Sequence, residues 1–129
     1  MIVIDASVLI AHLDANDAHH ARAGVILEAA GPTPLTASRL TLAEVLVGPT
    51  RAGKLEVAMA ALAQLGIDGV GLNADAPVRL AGLRASTRLK MPDCCVLLAA
   101  EQVNGQVATL DASLAAAARA LGLGILETY

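Results

Sequence analysis

The chain has 129 residues, is 56% hydrophobic and carries a formal net charge of −3. That length fits one domain, residues 1–129, with one packed core, and the hydrophobicity argues against disorder. The acidic balance argues against binding a polyanion by bulk charge, and a single aromatic residue, Tyr129, argues against base stacking on Phe, Tyr or Trp.

In chain order, Ile2 to Ile4 is a short β-branched run that predicts a buried strand. Ser7 to Leu13 and Ala18 to Ala30 have helical spacing, and Gly31-Pro32 ends the second helix. Pro34 to Ser38 predicts a second strand, and Leu40 to Val47 a helix stopped by Gly48-Pro49. Lys54 to Leu65 is amphipathic and closes at Gly66. Gly69 to Leu72 is a weak strand, and Ala76 to Leu89 a helix with Pro77 in its first turn. Pro92 opens a helix that runs to Val103 and stops at Asn104-Gly105. Gln106 to Leu110 is a strand, Leu114 to Leu121 a helix, and Gly124 to Glu127 a last strand. Short apolar strands alternating with helices predict an α/β sandwich around a parallel sheet, with ligands beyond the carboxyl ends of the strands.

Cys94 and Cys95 are adjacent and lie in an apolar helical run. Neighbouring cysteines rarely form an unstrained disulfide, so the expectation is buried thiols in a reducing cytoplasm. No basic leader with a following apolar stretch is visible, and no uncharged run approaches a membrane span.

Four acids sit where apolar segments end and helices begin: Asp5, Glu44, Asp93 and Asp111. A carboxylate beside buried apolar sequence is costly unless it is paired, hydrogen-bonded or bound to a cation. Each has a plain explanation on its own. Asp5 and Asp111 suit helix caps. Thr41-Leu-Ala-Glu44 matches a capping box. Asp93 in a first turn gains from the helix dipole. Those explanations leave the joint pattern unaccounted for. Asp14, Asp17, Asp68 and Asp75, by contrast, stand in polar or turn-like sequence. One shared site for a hard cation, Mg2+ with Mn2+ as substitute, accounts for all four and points to phosphate chemistry.

Four segments then match a family pattern in order: Ile2-Val-Ile-Asp5-Ala-Ser7, Leu40-Thr-Leu-Ala-Glu44-Val, Leu89-Lys-Met-Pro-Asp93-Cys-Cys-Val-Leu-Leu-Ala-Ala100 and Ala108-Thr109-Leu-Asp111-Ala-Ser-Leu114. Together the sequence resembles the PIN-domain ribonucleases, in particular the VapC-type toxins of bacterial toxin–antitoxin systems. The resemblance implies a three-layer α/β/α sandwich and a divalent-metal nuclease site of Asp5, Glu44, Asp93 and Asp111. Ser7 and Thr109 would be supporting hydroxyls. It also implies structured RNA (tRNA or rRNA) as substrate, a cognate antitoxin protein and a homodimer. Cys94 and Leu114 depart from the usual residues after the third and fourth acids and read as packing changes. Asp5 and Asp93 are the expected direct ligands, with Glu44 and Asp111 acting through water or a second ion. Hydrolysis by metal-activated water would leave 5'-phosphate ends.

Arg84 and Arg88 lie one helical turn apart and are candidates for RNA phosphate contacts, against a solvated helix face. Arg39 and Arg51 are weaker candidates. Gly48 to Leu55 imitates a P-loop but has Leu55 in place of the Ser/Thr and follows a helix. Gly69-Val-Gly71 loosely resembles a dinucleotide loop, with its glycines inside the strand. His12, His19 and His20 lack further ligands at zinc spacing. The rival readings are a non-catalytic interaction module that uses the acids as helix caps, and a receiver-like phosphate sensor. The receiver needs an acidic pair after the first strand and a Lys after a late strand, and the sequence has neither.

Overall fold

The computed structural model describes residues 1–128; the expectation attached to Tyr129 lies outside the described residues. The elements are β1 (Ile2–Ile4), α1 (Ala6–Leu13), α2 (His20–Ala29), β2 (Leu35–Ser38), α3 (Arg39–Arg51), α4 (Leu55–Gln64), β3 (Asp68–Val70), α5 (Ala76–Thr87), α6 (Met91–Val103), β4 (Gln106–Ala108) and α7 (Ala112–Ala120). The strands form one parallel sheet in the order β3-β2-β1-β4. Ile2 pairs with Leu35 on one side and Gln106 on the other, and Ser38 pairs with Val70. The alternating α/β architecture expected from the sequence is therefore the observed one.

Side chains alternate across a strand, so the sheet feeds two cores, one on each face. Ile2, Ile4, Ala37 and Ala108 pack with α1, α2, α3 and α4. Val3 and Val107 pack with α5, α6 and α7. This is the three-layer sandwich. Helix α6 is buried continuously from Cys94 to Ala100, so its apolar surface wraps all round and its position is tightly held. Both cysteines are free and buried, as their apolar context predicts.

Three expectations need correction. Helix α3 does not stop at Gly48-Pro49 but runs to Arg51. Pro49 removes one N–H late in the helix, where the ladder is already ending. The stop lies at Gly53, whose φ of 70° is left-handed. There the Lys54 N–H reaches back to the Pro49 carbonyl at 2.8 Å, and the Thr50 hydroxyl donates to the Leu46 carbonyl at 2.6 Å. Helix α5 ends at Thr87 because Arg88 turns left-handed at φ 61°, so Arg84 and Arg88 do not share a helix face. The last strand reduces to one parallel bridge between Val107 and Ile125, beside β4.

The helix stop is checkable by chemical denaturation. A β-carbon on Gly48 would meet nothing within 4 Å, so Gly48→Ala is expected to stabilise by about 0.5–1 kcal/mol. Gly53→Ala is expected to destabilise by about 1 kcal/mol, because its backbone is left-handed. Equal destabilisation by both would place the helix end at Gly48 instead.

Candidate metal centre

The site grows from the end of β1. Ile2 to Ile4 is buried, and Asp5 follows with only 4% of its surface exposed. It caps α1 with extended backbone, its Oδ1 accepting from the Val8 N–H at 3.2 Å. The Ser7 hydroxyl donates to the same Oδ1 at 2.7 Å, and the Thr109 hydroxyl donates to Oδ2. Both hydroxyls also accept: Ser7 from the Leu110 N–H at 3.0 Å, Thr109 from the Asp111 N–H at 2.9 Å. Two relays thus tie β1 to the loop after β4. A carboxylate offers about four lone-pair positions. Three are taken, which leaves Oδ2 one for a ligand.

Asp111 caps α7: its Oδ1 accepts from the Ser113 N–H at 2.8 Å and the Leu114 N–H at 3.3 Å. Its other oxygen takes no hydrogen bond from the described residues. Asp93 lies in the first turn of α6, after Pro92, on the end of the most buried helix. Glu44 lies one turn beyond Thr41 on α3. The capping box expected there is absent, because α3 begins earlier. Ser38 is its cap, with Oγ accepting from the Leu40 N–H at 3.3 Å. Thr41 is instead buried inside the helix, its hydroxyl without a partner among the described residues. Glu44 and Asp93 therefore cap nothing and make no hydrogen bond or ion pair with a described side chain.

The four acids form one electrostatic group. Burial pushes the Asp5 carboxyl above the ordinary carboxylate range; its three donors oppose this and Asp93 adds to it. Burial raises Glu44, and the charges of Asp93 and Asp5 raise it further. Burial raises Asp93 and Asp111 raises it further, with Lys90 opposing. Repulsion among carboxylates that form no ion pair with a described residue is what a bound cation relieves.

Among the described residues, no three His, Cys, Asp or Glu side chains stand in an arrangement that could hold a metal as it is. The donor set nevertheless fits Mg2+, which takes hard oxygens, keeps several waters and needs only one or two direct carboxylates. The histidines stay outside the site. His12 and His20 stack at 6.4 Å between centroids, and His20 Nδ1 lies 2.7 Å from the Ala11 carbonyl oxygen. Arg84 and Arg88 are exposed, and Arg84 is close enough to Cys94 to act on its thiol, beside Asp93.

The PIN domain family profile matches residues 2–126. The chain belongs to the PIN domain family. Comparison with curated proteins gives no match. Solved PIN-like structures do match. A toxin–antitoxin complex from Klebsiella pneumoniae is 25% identical with a TM-score of 0.72, covering 86% of this chain and 87% of that one. VapC20 of Mycobacterium tuberculosis, a toxin that cleaves the sarcin–ricin loop, is 20% identical with a TM-score of 0.69, covering 91% and 95%. FitAcB from Neisseria gonorrhoeae is 22% identical with a TM-score of 0.68, covering 98% and 97%. The fold is thus that of VapC-type toxins. No helix of the described residues is long and apolar enough to cross a membrane.

The repulsion has a sign that melting can read. A carboxyl with a raised folded pKa contributes stability below its unfolded pKa and loses it as pH rises through the folded one. Asp5, Glu44 and Asp93 are all raised, so without metal they cost stability at pH 7. Asp93→Asn is expected to melt a few degrees above the parent at pH 7 in EDTA, the gap closing as pH falls through the carboxylate range. A variant that melts below the parent under those conditions contradicts the repulsion.

Proposed function

We propose that this PIN domain is a Mg2+-dependent endoribonuclease, the toxin of a type II toxin–antitoxin pair, that hydrolyses phosphodiester bonds in structured RNA such as tRNA or rRNA. The observation that carries this reading is the joined charge of Asp5, Glu44, Asp93 and Asp111 at the carboxyl edge of the sheet. The likeness to the Klebsiella toxin–antitoxin complex supports an antitoxin protein as partner, and the activity named for the M. tuberculosis toxin supports RNA as substrate. A homodimer and a cytoplasmic setting belong to the same reading. Mn2+ is the expected substitute ion.

Asp5 and Asp93 would hold the ion directly, and Glu44 and Asp111 through water. When bound, Mg2+ makes a water more acidic and polarises a phosphodiester oxygen. Asp5 is oriented by the Ser7 and Thr109 hydroxyls, which leaves Oδ2 available. Glu44, exposed and with a raised pKa, is a better proton acceptor than an ordinary carboxylate. Arg84 and Arg88 would hold RNA phosphates beside α6. The formal net charge of −3 makes the ion and such local cations necessary for approach by a polyanion.

The interaction-module reading explains Asp5 and Asp111, which do cap helices. It gives Asp93 only the helix-dipole gain of a first-turn acid and leaves Glu44 without a purpose.

The test is cleavage of total tRNA and rRNA by partner-free protein in Mg2+, Mn2+ or EDTA, with folded Asp5→Asn and Asp93→Asn as controls. The expected outcome is metal-dependent cutting with 5'-phosphate ends, reduced at least a hundredfold in both variants. Cutting that persists in both variants contradicts the site. Absence of both cutting and metal binding returns the protein to the interaction-module reading.

A further inference from the structure

The Gly69-Val-Gly71 motif is left unexplained by the metal centre. Glycine weakens a strand and marks the close approach of another group. Here the group common to both glycines is Arg39, with Leu42 Cδ1 also 3.3 Å from a β-carbon at Gly69. A β-carbon built on Gly69 would stand 2.9 Å from Arg39 Cγ and 3.7 Å from its Nε. One on Gly71 would stand 3.6 Å from Nη1 and 3.8 Å from Cζ. The side chain therefore starts over Gly69 and ends with its guanidinium over Gly71. It runs along β3 toward the carboxyl edge of the sheet, the edge that carries Asp5.

The track itself is fixed. The Gly71 carbonyl accepts from Gln102 Nε2 at 2.9 Å, and Gln102 Oε1 accepts from the Asn73 N–H at 3.4 Å. The guanidinium at its end has no anionic partner among the described residues. The ion pairs of the described residues are Arg79 with Glu101 and Arg119 with Glu127. Nor does Arg39 figure among the charges that act on Asp5, Glu44 or Asp93. It stands apart from the acids yet on their edge. β2 separates β3 from β1, so two strand spacings, about 10 Å, lie between the strands that carry the track and Asp5.

We infer that Arg39, laid on the Gly69–Gly71 track, is a phosphate-binding position that grips the RNA backbone to one side of the metal centre. This rests on the ribonuclease reading above. Arginine suits the task because its planar fork meets phosphate oxygens in pairs, and a stem already laid down loses less freedom on binding. Gly69 and Gly71 are positioning residues that act through it. The competing use of such an arginine is to shield the edge strand β3 from pairing with another chain.

The experiment is tRNA binding by the full chain in Mg2+, on an Asp93→Asn background that blocks cutting, over a range of salt. Arg39→Met is expected to weaken binding about tenfold and flatten the log–log salt slope by about 0.7, the loss of one phosphate contact. Gly69→Ala, which pushes the arginine off its track, is expected to move both readouts the same way. Arg22→Met removes the same charge from an exposed position on α2, which carries none of the four acids and neither glycine of the track, and is expected to leave the slope within half that change. Melting curves confirm that each variant is folded. An unchanged slope in folded Arg39→Met overturns the inference and leaves the ribonuclease reading standing; aggregation of that variant would then assign Arg39 to the edge. Equal losses for Arg39→Met and Arg22→Met reduce the effect to net charge and also overturn it. Failure of both the Asp93→Asn and wild-type chains to bind tRNA or rRNA removes the ribonuclease reading and the inference together.

Discussion

The buried carboxylate of Asp5 is the constraint on which the site depends. A charge so deep at the end of β1 survives only because three donors meet it, two of them hydroxyls that are themselves held by backbone N–H groups. The consequence is mechanical as well as electrostatic. Through Ser7 and Thr109 the same carboxylate fixes the loop that leads to Asp111, so the first and fourth acids cannot move independently. The short parallel strands need this brace, because each contributes only three or four residues of ladder.

Around that anchor the chain gathers charges of one sign and leaves two of them, Glu44 and Asp93, unpaired. Each is delivered by a helix whose placement is set elsewhere. Asp93 rides on α6, which the core grips from Cys94 to Ala100. Glu44 rides on α3, which Ser38 caps and Thr41 and Val45 seat against the sheet. Stability lost to mutual repulsion would be recovered by a bound cation, because binding energy gained only in the folded state is folding energy. The histidine pair stays outside this balance. Burial raises the Cys94 and Cys95 thiols, and Asp93 and Glu44 respectively add to the rise, which keeps the thiols inert.

Much of this was legible in the sequence because it was written in residues with few alternatives. The β-branched run before Asp5, the Pro-Asp step that opens α6, and the left-handed Asn104 each have one local solution. Glu44 was legible as an acid but not in its role. Thr41 makes a capping box with it on paper, and only the earlier start of α3 at Arg39 shows that the hydroxyl is buried and the carboxylate free. The end of α3 lies beyond the expected stop at Gly48-Pro49 because Pro49 falls where the ladder is already closing. The left-handed backbone of Arg88 is not legible in the sequence, because an arginine there carries no local signal. Arg39 is a weak signal by sequence, and Gly69 of β3 with Gly71 just beyond it has only a loose likeness to a dinucleotide loop. Their connection is a contact between elements remote in sequence, which no local pattern encodes.

The most direct test of the shared cation site is calorimetric titration of the apo protein with Mn2+ near neutral pH, repeated in buffers of different ionisation enthalpy. Saturable binding that releases protons, and that is lost in folded Asp5→Asn and Asp93→Asn, is the expected result. No binding, or binding that both variants retain with no proton release, would contradict the claim that these four carboxylates act as one site.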